Sequence, residues 1–221
     1  MSVEIRRGTA RFVERKVGQA TWHAFSFGSF YDPANVAFGP MTCHDEHLLA
    51  AGQGFPEHHH AGIVAVSWVV SGAVEHTDSL GHSHVLVPGE VGVLTTGDGV
   101  SHTEIAAAPA TRFVQVWING SSGAPSYTVS RAPIEVLGSR FSVLELADGE
   151  STTLPAGPRV HVYVASGALL RSSLAEPLAA GDAFLIRDEA DLGVTAGVDT
   201  QLLVWELGDQ TTETKSDETA H

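Results

Sequence analysis

Turn-forming residues interrupt this chain about every ten positions, and that spacing limits the fold more than any other feature. The sequence contains 23 Gly and 10 Pro, spread along its length rather than gathered in linkers. Between them lie short runs rich in Val, Ile, Leu, Phe, Trp and Thr: Ile63–Val70, Val85–Val87, Glu90–Thr95, Arg112–Ile118, Phe141–Leu146, Arg159–Ala165, Ala183–Ile186 and Gln201–Glu206. Runs of this length and composition, bounded by turns, predict an all-β sandwich or barrel. Helical periodicity is scarce. Only Ser173–Ala180 and Thr211–Thr219 suggest a turn of helix.

The runs repeat in order. Val66–Ala73 reads VSWVVSGA, and His161–Ala168 reads HVYVASGA. Leu86–Glu90 (LVPGE) then matches Leu178–Asp182 (LAAGD), and Thr111–Ile118 (TRFVQVWI) matches Thr200–Leu207 (TQLLVWEL). Three matches in the same order predict two β units in tandem. They are expected at 1–120 and 121–208, with the junction in the NGSSGAPS stretch, Asn119–Ser126. Residues 209–221 are polar and acidic and are expected to form a disordered tail.

At 221 residues the chain is long enough to bury a core without covalent staples. Its one cysteine, Cys43, allows no internal disulfide. Twelve Lys and Arg against 26 Asp and Glu give a net charge of −14, which argues against direct nucleic-acid or anionic-membrane partners. No apolar run is long enough to span a bilayer. The opening residues, MSVEIRRGTARFVERKVG, lack the apolar core of a signal peptide. A soluble, cytoplasmic and monomeric protein is therefore expected.

Ten of the 12 histidines fall at or before His102. In GFPEHHHAG (Gly54–Gly62), His58 and His60 stand two apart, so on a strand they share a face while His59 points to the other side. In GDGVSHTE (Gly97–Glu104), His102 and Glu104 have the same spacing. Two adjacent strands would thus bring together three imidazoles and one carboxylate, a set suited to one divalent first-row metal. Iron is placed first, with Mn, Ni, Co, Cu or Zn as alternatives. The remaining early histidines carry less weight. His76, His82 and His84 read as turn or hairpin positions, and His23, His44 and His47 lie in a less regular N-terminal segment.

These blocks, in this order, resemble the pirin family of bicupins. The resemblance rests on GFPEHHHAG, on EHTDSLG at Glu75–Gly81 and on PGEVGVLTTGDGVSHTE at Pro88–Glu104. FSFGSFYDPANVAFGP at Phe25–Pro40 and FVQVWING at Phe113–Gly120 extend it. It covers roughly residues 5–208 and is densest over 20–120. It implies two cupin barrels of jelly-roll type. The first would hold a metal through His58, His60, His102 and Glu104, and the second would be metal-free. It also implies either a dioxygenase that cleaves a flavonol such as quercetin, or a non-enzymatic metal-binding regulator that binds another protein.

In the enzymatic case a small aromatic substrate and dioxygen are the partners, and Glu104 is the candidate general base. Phe55 and Trp68 are candidate pocket walls, with core packing the stronger expectation for each. Three positions depart from the family pattern. Ala61 and Val64 follow the histidines where Arg and Glu are usual, and Gly92 stands in a block that usually carries Gln and a bulky residue. Their small side chains are expected to enlarge the space beside the metal.

Overall fold

A computed structural model describes residues 2–170, 177–189 and 191–208. Four strands come before the histidine-rich block: β1 (Ser2–Arg6), β2 (Phe12–Lys16), β3 (Gln19–His23) and β4 (Met41–Leu49). Seven more complete the first half: β5 (Gly54–His60), β6 (Ile63–Ser71), β7 (Val74–Asp78), β8 (Ser83–Leu86), β9 (Val91–Thr95), β10 (Val100–Ala106) and β11 (Thr111–Asn119). Next come β12 (Ser126–Ser130), β13 (Ile134–Val136), β14 (Ser139–Leu146), β15 (Ser151–Thr153) and β16 (Gly157–Ser166). The last are β17 (Ala168–Leu169), β18 (Leu178–Ala179), β19 (Ala183–Glu189), β20 (Gly193–Thr195) and β21 (Thr200–Glu206).

Each apolar run marked in the sequence falls on a strand. The expected helical turn at Ser173–Ala180 does not form over its described part. Leu178 and Ala179 instead pair as β18 with β17, and residues 173–176 lie outside the described residues. Thr211–Thr219 and the tail expected to be disordered lie outside them too. Among the described residues, one 3-10 turn (Gly8–Ala10) is the only helix. No helix there is long and apolar enough to cross a membrane.

The repeat seen in the sequence is a repeat of sheet topology. A seven-stranded sheet runs β12-β9-β6-β11-β4-β3-β2, and a six-stranded sheet runs β1-β19-β16-β21-β14-β13. The block β9-β6-β11-β4 in one corresponds to β19-β16-β21-β14 in the other. The matched segments of sequence supply β6 and β16, then β11 and β21. The outer strands cross over. β1, at the start of the chain, edges the second sheet through β19, while β12, beyond the Gly/Ser/Pro stretch, pairs with β9 of the first. A cut at residue 120 would therefore separate each of these strands from its sheet.

The two large sheets pack face to face. Their common core takes Val64, Val66, Trp68, Val114 and Val116 from one side and Phe141, Tyr163, Leu203 and Trp205 from the other. Alternation along each strand sends these residues to the shared face and their neighbours inward. Each large side chain buried here contributes about 1.5–3 kcal/mol. Polar links cross the same face. Glu46 of β4 accepts hydrogen bonds from Arg11 (2.8 Å) and from the Tyr163 hydroxyl (2.5 Å), and it also pairs with Arg112. Trp68 Nε1–H donates to Gln201 Oε1 at 3.0 Å.

The inner faces differ. Behind the second sheet lies an aliphatic cluster that includes Leu146, Val160, Val162, Val164, Phe184 and Leu202. The inner face of the first sheet sets Ser67, Gln115, Asp45 and His23 among apolar residues such as Val69 and Phe113, and a four-stranded sheet, β5-β10-β7-β8, lies apart from it in the topology.

Candidate metal centre

The centre is built across the pair β5 and β10. His102 stands directly opposite His58, and Val100 opposite His60. Cross-strand partners share a face, as do residues two apart on one strand, so all three imidazoles project the same way. One ligating nitrogen from each lies within 4.8 Å of the other two. His59 is exposed on the opposite face, as alternation requires.

The register shifts by a bulge between His102 and Glu104. Gly54 makes this bulge fit. It holds φ +155°, and a Cβ there would strike the Glu104 carbonyl oxygen. The bulge breaks the simple pairing of the two strands at Glu104, whose carboxylate meets groups from the large sheet. Gln115 Nε2–H donates to Glu104 Oε1 (2.7 Å) and Oε2 (2.8 Å), and the Ser67 hydroxyl donates to Oε1 at 3.2 Å. Gln115 is itself held by Trp117, whose indole N–H donates to Gln115 Oε1 at 2.9 Å. The four sequence-predicted residues thus divide into two sets. His58, His60 and His102 form the tight cluster, and Glu104 is buried beside them in a cradle of donors.

The protonation states suit a cation. His58 Nδ1 lies 2.8 Å from the Pro56 carbonyl, which can only accept, so Nδ1 donates and Nε2 is the ring nitrogen left for a cation. His60 Nε2 and both ring nitrogens of His102 are buried without a protein partner. Burial lowers the pKa of His102 to about 4, with Glu104 pulling the other way, so the ring is neutral near pH 7. Burial likewise lowers His60, helped by His58. For Glu104, burial alone would raise the pKa. His102, the Gln115 hydrogen bond, His47 and His76 outweigh it and hold the carboxyl below its usual range. Three clustered imidazoles, two of them with unpartnered buried nitrogens, and one ionised carboxylate are the donor set a divalent transition metal takes.

A cleft opens from the cluster, with about 640 Å³ of atom-free space, part of it open to solvent. Its walls include Phe27, Phe55 and Trp117, with His58, His60, His23 and Asp45 also lining it. Trp117 meets His60 edge-on at 4.8 Å, and Phe27 meets Trp117 edge-on at 5.6 Å. Phe55 is therefore a wall. Trp68 is not, because it faces the other way and packs on Phe141 in the core between the sheets.

The three departures do not open the site. Val64 faces the sister sheet, Ala61 is exposed, and a Cβ at Gly92 would come within 3.0 Å of the Tyr127 hydroxyl and 3.3 Å of Leu86. Tyr127, brought in by the crossed-over β12, occupies the room that Gly92 leaves. It stacks on His76 with 3.8 Å between ring centroids.

Several site residues escaped the sequence reading. Gln115 stood in an apolar strand, FVQVWI, where a lone buried amide is itself a signal. His23, Asp45 and His47 lay in the stretch read as irregular, which is in fact β3 and β4. His76, read as a turn or hairpin position, does lie in the β7–β8 hairpin, but it is buried there and stands directly opposite Glu104.

A sequence model of the Pirin family matches residues 6–118. The chain belongs to the Pirin family. A Mycobacterium tuberculosis relative, named provisionally as a quercetin 2,3-dioxygenase, is 31% identical, with 96% of this chain and 99% of the relative covered. The pirin-like protein of Caulobacter vibrioides is also 31% identical, over 82% of this chain and 89% of its own. Among solved structures, the Escherichia coli bacterial pirin YhhW in complex with nickel(II) matches with a TM-score of 0.84 at 23% identity, covering 94% of this chain and 100% of that one. That likeness shows the fold of this family member to be a bicupin, two cupin units in tandem on one chain.

Proposed function

We propose that this protein is a metal-dependent dioxygenase that cleaves a flavonol, such as quercetin, or a related enol-bearing aromatic. The observation that carries the reading is the cluster of His58, His60 and His102, two of which line an aromatic-walled cleft together with the ionised Glu104. The names of relatives, quercetin 2,3-dioxygenase and pirin-like protein, support it, as does nickel bound by the pirin of the same fold.

His58, His60 and His102 would hold the metal, with Glu104 as the fourth ligand. A divalent metal there would lower the pKa of a ligating hydroxyl and hold dioxygen near it. The rest falls to the chain. Pro56 fixes the tautomer of His58, and Trp117 fixes the amide of Gln115, which aims the Glu104 carboxylate. Phe27, Phe55 and Trp117 offer flat apolar walls to a flat aromatic ligand.

Elemental analysis of the purified protein is expected to give close to one transition metal per chain. Anaerobically metallated protein, mixed with quercetin and air, is expected to bleach the flavonol absorption and release carbon monoxide. Absence of both with iron, manganese, nickel, cobalt and copper would overturn the reading.

A further inference from the structure

A polar row crosses the inner face of the large sheet and ends on a pair that the metal centre does not use. Ser67 on β6 pairs with Gln115 on β11, Gln115 with Asp45 on β4, and Asp45 with His23 on β3. Four strands in register therefore place these side chains side by side on one face. The first two hold Glu104. The last two form a buried dyad, with His23 Nδ1 lying 2.7 Å from Asp45 Oδ2 at 2% and 5% exposure.

The carboxylate accepts, so Nδ1 donates to it, and Nε2 is the ring nitrogen left to meet a ligand. That Nε2 is buried and has no protein partner, and His23 lines the same cleft as His58 and His60. Phe27 lies flat on the ring, with centroids 5.0 Å apart and planes 9° apart, and fixes its plane. A base oriented by a carboxylate, with its free nitrogen on a ligand cleft, is an arrangement that activates hydroxyl groups.

We propose that the His23–Asp45 dyad accepts the proton of a hydroxyl on the aromatic ligand bound in this cleft. This rests on reading the cleft as a site for hydroxylated aromatics. The O–H bond breaks and an Nε2–H bond forms. The electron pair stays on oxygen, and the resulting imidazolium is paired with the Asp45 carboxylate. Glu104 is less free for this task, since both of its oxygens already accept from Gln115 and one from Ser67. The charged and titratable groups that share the cleft with the dyad are His47 on β4, Glu14 and Lys16 on β2, and His58, His60 and Glu104 across it.

The probe is 4-nitrophenol, titrated into metal-free and nickel-loaded protein just below the pH at which the free phenol ionises. Binding to the wild type is expected to raise the yellow phenolate band in both forms. His23→Gln, checked for an unchanged melting midpoint and nickel content, is expected to lower the band on the order of tenfold or more. Asp45→Asn keeps the ring in the wall but removes its counter-charge, and it is expected to weaken the band too. The double change His58→Ala/His60→Ala is expected to keep it. A colourless wild-type complex, or colour in His23→Gln and Asp45→Asn as strong as in the wild type, would overturn the inference. If the band persists while quercetin resists turnover, the reaction assignment fails and the role of His23 as proton acceptor stands.

Discussion

The two cupin units put different chemistry on the same framework. In the first, the row across β9, β6, β11 and β4 is Gly92, Ser67, Gln115, Asp45. In the second, the row across β19, β16, β21 and β14 is Phe184, Val162, Val204, Ser142. The donors that hold Glu104 become two valines, and a glycine becomes a phenylalanine that is fully buried. One interior is thereby kept polar for a site. The other is filled with aliphatic carbon, and its one described histidine, His161, faces the sister sheet beside His44. A single β framework can either house a cation or act as packing support, and a few inward positions decide which.

The largest break in this contrast comes from removing the ligands. The double change His58→Ala/His60→Ala is expected to bring metal content from near one per chain to near zero by elemental analysis, with the fold retained by circular dichroism. A variant that keeps its metal would dispose of the centre as drawn.

Next is the packing of the second interior. Phe184→Ala is expected to cost about 3–5 kcal/mol in denaturant unfolding, because it empties a fully buried ring site. The metal content per folded chain should not change.

Giving the first row the residues of the second is a subtler change. Ser67→Val with Gln115→Val strips the donors from Glu104 and is expected to weaken metal affinity roughly 10–100-fold in a competition titration. An unchanged affinity would show that the cradle does not position the carboxylate.

Acid should erode the metal-free fold from both units. The His102 ring is held neutral down to about pH 4 and the His161 ring, by burial alone, down to about pH 3. In the unfolded chain both protonate near 6.5. Below that pH the unfolded state binds protons that the folded state refuses, so stability falls as the pH drops from 6.5 towards 4 and 3. Urea midpoints measured across this window are expected to decline with acid. A flat profile would contradict the burial of these rings.

The smallest effect belongs to the face between the sheets. Trp68→Phe removes the hydrogen bond to Gln201 and is expected to cost about 1 kcal/mol, with no change in metal binding.

Much of this was legible in the chain. The strand–turn spacing gave the all-β class, and the ordered repeat gave the tandem units, because both are local patterns of period two and of turn chemistry. The two-residue spacings of His58 with His60 and of His102 with Glu104 fixed which side chains share a face. The misreadings were at residues whose meaning depends on what lies opposite. Phe55 was expected to pack in the core, and Gly92 to add space beside the metal. Which face of β6 meets the sister sheet, and that Tyr127 from β12 closes over Gly92, are facts of sheet packing and strand exchange.

The sequence by itself determined the donor types, their pairing on strands and the absence of similar histidines after His102, since these are properties of composition and alternation. The tertiary structure decided the rest. It brought β5 and β10 into register and turned Glu104 towards Gln115 across a bulge. It also aligned His23 with Asp45 from a stretch that looked irregular. Those choices are non-local. Hydrogen bonds between distant strands and the packing of two sheets fix them, and no spacing within one segment encodes either.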